Sequence, residues 1–96
     1  MRPQYTPEQR SAAFWAKVNR DGPLPKDHPE LGPCWIWLAS TNSDGYGRFR
    51  FEGRGQRAQR FAYSYEVGLI PMGFEIDHLC RVPACVRPSH LEPVSH

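Results

Sequence analysis

Polar and apolar residues near the amino terminus alternate with the period of a helix. Phe14, Trp15 and Val18 fall on one face of that helix. Residues 6–9, Thr-Pro-Glu-Gln, form a helix start: the threonine can cap, the proline suits the first helical position, and the glutamine completes a capping box. Residues 21–33 begin with Asp-Gly-Pro, which predicts the helix end, and the four prolines of this segment predict an extended loop.

The middle of the chain predicts a β-hairpin with one basic face. Residues 34–38, Cys-Trp-Ile-Trp-Leu, are typical of a short aromatic strand. Residues 42–45, Asn-Ser-Asp-Gly, supply the turn. Residues 46–51 then alternate, which puts Arg48 and Arg50 on one face and two phenylalanines on the other.

A second helix is predicted directly after this hairpin. Its apolar stripe recurs at i, i+3, i+4 and i+7 and comprises Ala58, Phe61, Ala62 and Tyr65. Gly68 is a natural stop for the helix. Arg57 and Arg60 are three positions apart, so we expect them to share a face of it.

The carboxy-terminal region predicts a strand, a second short strand and a helix. Residues 74–80 alternate like a strand. Residues 85–86 are expected to pair back on it, and Pro88 suits the first position of a helix over residues 88–92. The element order therefore predicts an α+β fold.

Length and composition limit the chain to one small domain. It has 96 residues, of which 18 are proline or glycine, so a purely hydrophobic core would be marginal without a disulfide, a metal or a partner. The domain divides into a helical arm with a Pro-rich loop over residues 1–33 and a core over residues 34–96. No apolar run approaches the 18 residues of a membrane span, and the amino terminus lacks the apolar core of a secretory signal.

Basic residues are concentrated in one stretch. Ten of the twelve are arginine, whose planar fork can bind two phosphate oxygens at once. The stretch contains a single acid, Glu52, and five arginines: Arg48, Arg50, Arg54, Arg57 and Arg60. A solvated surface would explain the charges equally well, but their clustering favours nucleic acid.

Three cysteines disfavour a disulfide framework, because the number is odd and no secretory signal is present. The spacing Cys80-x4-Cys85-x4-His90 can instead bring three ligands to one ion. Cys34 is the expected fourth ligand of a structural zinc, and His28 is the alternative. Buried thiols without metal would be the plain interpretation, but it does not explain why every cysteine fits one ligand set.

Asp77 and His78 precede this motif immediately. His78 shares strand parity with Cys80, so it should lie beside the metal site without belonging to it. A neutral histidine near a basic groove can act as a general base toward water. On spacing alone, a histidine hydrogen-bonded to the backbone is the more common case.

The segments CWIWLAS, GYGRFRF, QRFAYSYEVG and IPMGFEIDHLCRVPACVRPSHLEPV together resemble small phage-type HNH endonucleases. Within the ββα-metal nuclease superfamily, the chain is most similar to the His-Cys box homing endonucleases. The resemblance covers about residues 12–96. It implies a zinc-stabilised ββα-metal domain, also called the HNH or His-Me finger fold, with an amino-terminal helix and a basic hairpin.

The resemblance also implies roles for individual residues. The structural zinc would be held by Cys34, Cys80, Cys85 and His90. His78 would be the general base that activates water against a DNA phosphodiester, with Mg²⁺ or Mn²⁺ close by. Arg60 would reach the scissile phosphate. The remaining basic side chains expected on DNA are Arg48, Arg50, Arg54, Arg57 and Arg87.

The sequence departs from the family pattern in three places. An asparagine beyond the zinc histidine commonly holds the catalytic ion, but this sequence stops at His96, which leaves Asp77 as the expected oxygen ligand and His96 or Glu92 as substitutes. Arg87 stands where relatives carry asparagine, and Gln59 where they often carry histidine. A plain HNH arrangement, with Asp77 and His90 both on the catalytic ion, competes with the Cys3His assignment.

The sequence thus predicts a metal-dependent endonuclease that nicks or cleaves duplex DNA. The alternative is a zinc-containing DNA-binding module of nuclease descent with weak or no activity. A small zinc-knuckle interaction protein, using its aromatic residues as a surface, is a third hypothesis. The resemblance implies a phage or mobile-element product acting in bacterial cytoplasm, with no membrane partner and with homodimers as in the homing type.

Overall fold

A computed structural model describes residues 5–95. The first helix, α1, spans Pro7–Trp15 and begins with the predicted capping box. The Thr6 hydroxyl accepts a hydrogen bond from the Gln9 amide at 3.1 Å, and the Gln9 side chain accepts one from the Thr6 amide at 2.7 Å. These two bonds satisfy backbone donors that a helix start leaves free.

The predicted end of this helix is wrong. The chain leaves α1 after Trp15, and Val18 lies in a short strand, β1 (Val18–Asn19), rather than on the helical face. Strand β1 pairs antiparallel with β2 (Ile36–Trp37), and Val18 stands opposite Trp37. Pairing with an aromatic strand therefore overrides the local helical spacing.

The expected pairing of residues 34–38 with residues 46–51 is also wrong. The turn at residues 42–45 forms, since the Asn42 side chain accepts hydrogen bonds from the Asp44 and Tyr46 amides. However, it closes only a bridge between Thr41 and Gly47. Both edges of β2 are already occupied, one by β1 and the other by the bridge from Ile36 to Cys85.

The basic hairpin exists, but its strands are β3 (Arg48–Phe51) and β4 (Arg54–Arg57). Their two-residue connection has positive φ at both positions, 54° at Glu52 and 77° at Gly53. This is the geometry of a hairpin turn that matches the twist of the strands. The second helix, α2 (Ala58–Glu66), follows β4 without an intervening loop. Arg57 is its extended N-cap, so the expectation that Arg57 and Arg60 share a helical face is wrong.

Helix α1 contributes the centre of the hydrophobic core. Phe14 is completely buried, and its ring lies 4.7 Å from that of Trp37 and 4.6 Å from that of Phe61, centroid to centroid. The other buried apolar members of this core are Phe49, Ala58, Ala62, Ile76, Val86 and Leu91. Residues from both ends of the chain therefore share one core.

The carboxy-terminal hairpin pairs differently from the prediction. Strand β5 (Glu75–His78) pairs with β6 (Leu91–Val94), not with residues 85–86. The helix expected from Pro88 is a single 3₁₀ turn, Pro88–His90, and Leu91 is already extended. Pro93 would obstruct a longer helix, whereas a strand of a two-stranded sheet accommodates it.

The described residues therefore form two helices and three two-stranded antiparallel sheets, and the predicted α+β fold is confirmed. Neither described helix has the length and apolar character needed to cross a bilayer.

Candidate functional site

Four side chains from distant parts of the sequence converge in the interior. Cys34 precedes β2, Cys80 follows β5, Cys85 bridges to β2 and His90 closes the 3₁₀ turn. All four are buried, the three cysteines are free thiols, and one ligand atom from each lies within 4.8 Å of the others. His28 is exposed and pairs with Glu30 at 3.2 Å, outside this cluster.

The imidazole of His90 is oriented for metal binding. Its Nε2 lies 2.8 Å from the Leu31 carbonyl oxygen, which can only accept, so Nε2 carries the proton. The unprotonated Nδ1 then faces the thiols, 3.7 Å from Cys34 Sγ and 3.6 Å from Cys85 Sγ. Nitrogen and sulfur ligands of a tetrahedral zinc are about 3.6 Å apart, so the cluster fits such an ion. A backbone carbonyl that fixes the histidine tautomer is typical of metal sites.

The charge of the thiols agrees with this fit. A hydrogen bond from the Cys85 thiol lowers the pKa of Cys80 to about 4, which favours the thiolate form that binds a metal. Burial, followed by the charge of Cys80, raises the pKa of Cys34 to about 11. The hydrogen bond with Cys80 and burial also raise the pKa of Cys85. A dication would deprotonate the remaining thiols and close the site.

A cleft of about 450 Å³ lies beside the cluster, between the start of α2 and strand β5. Its lining residues are Tyr46, Arg57, Gln59, Arg60, Glu75, Ile76, Asp77, His78 and Val94. The cleft is polar and carries both acidic and basic groups. It contains every residue that the sequence assigned to catalysis.

His78 connects this cleft to the Cys3His cluster. Its Nε2 donates a hydrogen bond to the Cys85 carbonyl oxygen at 2.9 Å, which fixes the tautomer and leaves Nδ1 as the basic nitrogen. Burial lowers the pKa of His78, so the imidazole is neutral at neutral pH. The ring centroids of Tyr46 and His78 are 5.6 Å apart, and the guanidinium carbon of Arg57 lies 5.2 Å from the Tyr46 centroid.

Arg60 and Asp77 occupy opposite walls of the cleft. Arg60 projects from α2, and its Nη1 donates to the Phe74 carbonyl oxygen at 3.0 Å, which holds the guanidinium in place. Asp77 projects from β5 and pairs with Arg81 at 3.5 Å in an exposed ion pair. Glu92 stands opposite Asp77 in the β5–β6 register, while His96 lies outside the described residues.

Residues 56–96, which contain the second helix, β5, β6 and three of the four cluster residues, match the family model described as HNH endonuclease. Over these residues the chain is similar to HNH endonucleases. The resemblance to phage-type HNH endonucleases that the sequence predicted is thereby confirmed, and the matched segment contains Cys80, Cys85, His90 and every cleft residue except Tyr46.

Two similar proteins come from Escherichia phage T7. Protein 7.7 is 34% identical over 58 residues, which cover 60% of this chain and 45% of that protein. Protein 2.8 is 34% identical over 59 residues, which cover 60% of this chain and 40% of that protein. The HNH-like chain therefore spans less than half the length of these curated relatives. No solved structure matches it.

The basic residues of this HNH-like protein do not form one surface. Arg48 stands opposite Arg57 and Arg50 opposite Gly55, so these three arginines share one face of the hairpin. Arg54 stands opposite Phe51 on the other face. Of the hairpin arginines, Arg57 reaches the cleft.

Arg87 has a local structural role. Its Nη1 donates to the Pro33 carbonyl oxygen at 2.8 Å, and its guanidinium lies 5.3 Å from the Trp35 ring. Arg87 therefore fastens the loop before Cys34 to the turn after Cys85, and it does not line the cleft.

Two cleft residues, Glu75 and Tyr46, are not predicted from the sequence, and a third, Gln59, is predicted only as a departure from the family. Glu75 has the same strand parity as Asp77, which could have indicated that both border one site. Nothing in the local pattern separated Tyr46 from the other aromatic residues. Gln59 was noted only as a departure from the family, yet it is 4% exposed and its Oε1 has no hydrogen-bond partner within residues 5–95.

Proposed function

We propose that this chain is a divalent-metal-dependent endonuclease that nicks or cleaves duplex DNA. The observation that carries the proposal is the hydrogen bond from His78 Nε2 to the Cys85 carbonyl oxygen. It leaves a neutral imidazole with its basic Nδ1 available in a cleft that also contains a carboxylate, Asp77, and a fixed guanidinium, Arg60. Base, cation ligand and phosphate ligand are the three parts that phosphodiester hydrolysis needs.

In the proposed reaction, His78 Nδ1 accepts a proton from a water molecule. The water oxygen attacks the phosphorus atom, the bond from phosphorus to the 3′ oxygen breaks, and that oxygen leaves as the 3′ hydroxyl after taking a proton from solvent. Arg60 binds a nonbridging phosphate oxygen and offsets the charge that develops during attack. The products are a 5′ phosphate and a 3′ hydroxyl.

Asp77 is the proposed ligand for the catalytic cation, Mg²⁺ or Mn²⁺. Its carboxylate is a hard oxygen ligand, and its exposed ion pair with Arg81 costs little to exchange. When bound, such a cation stabilises negative charge on the leaving oxygen. The zinc proposed for the Cys3His cluster has no open position for water and would serve the fold alone.

Duplex DNA would lie along the hairpin face that carries Arg48, Arg50 and Arg57. This face adjoins the cleft through Arg57, so a strand whose phosphates follow the arginines reaches His78. The phage relatives support a role inside an infected bacterial cell. The homodimer and the division at residue 33 stay predictions.

A nicking assay on supercoiled plasmid tests this function directly. Zinc-loaded protein with Mg²⁺ or Mn²⁺ should convert it to the relaxed form, and His78→Ala should lower the rate about 10² to 10⁴-fold because the general base is lost. His28→Ala is the matched control, since His28 is exposed and away from the cleft. DNA binding without metal-dependent nicking would instead support the binding module.

A further inference from the structure

Gln59 is the one buried side chain of the cleft whose polar atom lacks a partner in the described residues. It is 4% exposed, and its Oε1 accepts no hydrogen bond there. Buried amide oxygens in folded proteins are almost always paired, because water has been removed from them. An exception in the wall of the cleft indicates that a group outside the described residues, either a water molecule or a bound ligand, completes the bonding.

Gln59 Oε1 makes no hydrogen bond that stabilises the described part of the fold. Gln59 lies in the first turn of α2, where side chains often satisfy free backbone amides. Here the Ala58 amide is bonded to the Gly47 carbonyl oxygen at 2.9 Å instead. The neighbouring Arg60 directs Nη1 to the Phe74 carbonyl oxygen. Neither helix capping nor the arginine therefore explains a glutamine at this position.

The chemical class of the partner that Gln59 Oε1 lacks follows from the fact that this atom is an amide oxygen. An amide oxygen can bind only a hydrogen-bond donor or a cation. The phosphates of DNA offer acceptors alone, so the scissile group cannot satisfy it. A divalent cation can, because Mg²⁺ and Mn²⁺ prefer oxygen ligands and Asp77 lines the same cleft.

We propose that Gln59 Oε1 is a ligand of the divalent cation that the cleft uses, together with the Asp77 carboxylate. The inference rests on the proposed function, which requires that cation. One neutral amide and one carboxylate leave a net positive charge on the ion, which favours a phosphate as the next ligand. A second carboxylate would cancel that charge and weaken phosphate binding.

The test is Mn²⁺ binding to the full zinc-loaded chain without DNA, followed by electron paramagnetic resonance. Gln59→Met keeps the side-chain length and removes the oxygen, so we expect Mn²⁺ affinity to fall about 10 to 100-fold. Gln59→Glu should bind Mn²⁺ at least as tightly as the wild type. Gln56→Met is the matched control, because Gln56 lies three positions earlier on exposed β4 and outside the cleft.

Thermal unfolding of the zinc-loaded chain before Mn²⁺ is added gives a second measurement. Gln59→Met removes an unpaired buried oxygen, so it should unfold at the same or a higher temperature than the wild type. At one Mn²⁺ concentration, the unfolding temperature of the wild type should then rise more than that of Gln59→Met. If Gln59 is only structural, Gln59→Met should lower the unfolding temperature before Mn²⁺ is added, and the effect of Mn²⁺ should be the same in both proteins.

Each outcome decides the inference separately from the proposed function. Unchanged Mn²⁺ affinity in Gln59→Met overturns the inference even if the wild type nicks DNA. A wild type that does not bind Mn²⁺ also overturns it. Weakened binding in Gln59→Met supports the ligand even if no nicking occurs, and in that case only the endonuclease function fails. If Gln59→Met does not fold, Gln59→Glu decides: weaker Mn²⁺ binding than the wild type overturns the inference.

Discussion

Cys85 holds His78 in place through its backbone while its side chain belongs to the metal cluster. The Cys85 carbonyl oxygen accepts the 2.9 Å hydrogen bond from His78 Nε2, and its Sγ lies 3.6 Å from His90 Nδ1. The residue that would bind the structural ion therefore also fixes the tautomer of the proposed base. Loss of the ion should therefore disturb the position of His78 through Cys85.

Removal of zinc should therefore abolish nicking even when Mg²⁺ is supplied afterwards. The physical reason is that three buried thiols and an imidazole lose the ion that holds their loops together. We would strip the metal, confirm its loss by elemental analysis, add Mg²⁺ alone and measure plasmid nicking and the unfolding temperature. Both should fall and both should recover when zinc is restored. Full nicking by zinc-free protein would show that the cluster does not support the cleft.

Arg60→Ala should slow cleavage about 10² to 10³-fold through kcat, because its charge is needed most when the phosphate develops negative charge. Arg60→Lys should recover little of this loss. Arg60 Nη1 donates to the Phe74 carbonyl oxygen, and the other N–H groups of the planar guanidinium remain free to bind the phosphate. The compact ammonium of a lysine cannot bind both groups in this arrangement. Single-turnover cleavage of a labelled duplex measures the effect. Equal rates for Arg60→Lys and the wild type would contradict the role.

The two faces of the basic hairpin should contribute unequally to DNA binding. Arg48→Ala and Arg50→Ala should each weaken binding and reduce the slope of log affinity against log salt by about 0.9, the value for one phosphate contact. Arg54→Ala is the internal control, since Arg54 stands opposite Phe51 on the other face. Fluorescence anisotropy at several KCl concentrations gives the slopes. If Arg54→Ala reduced the slope equally, DNA binding would not be confined to the face that carries Arg48 and Arg50.

Phe14→Ala should destabilise the whole chain by about 3 to 5 kcal/mol, because it removes a fully buried ring from the centre of the core. Leu69→Ala should have little effect, since Leu69 is 97% exposed. Urea unfolding followed by tryptophan fluorescence measures both. A similar midpoint for Phe14→Ala and the wild type would mean that residues 7–15 are separable from the core.

Local chemistry explains which parts of the fold could be predicted from sequence. The capping box of α1 is specified by neighbouring residues, and the Cys80, Cys85 and His90 spacing by the reach of a short loop. Both were predicted without knowledge of tertiary contacts. The position of Cys34 followed only from the number of ligands that zinc prefers.

Strand pairing could not be predicted in the same way. Strands β1 and β2 have two residues each, which is too short for an alternating pattern to specify a partner. The Glu52-Gly53 turn lacks the Asn-Gly or Asp-Gly signal of a tight hairpin, whereas Asp44-Gly45 has it and closes only a bridge. The unpaired oxygen of Gln59 depends on packing, so no sequence pattern could reveal it.

The direct junction between β4 and α2 joins the basic hairpin rigidly to the helix that lines the cleft. With Arg57 as the last strand residue and Ala58 as the first helical one, no loop absorbs a change in strand register. A register slip of one residue in β4 would turn the side chain of Arg57 to the other face of the hairpin and displace the start of α2, which carries Gln59 and Arg60. A bent duplex bound to the arginines of this hairpin would therefore also change the positions of Gln59 and Arg60.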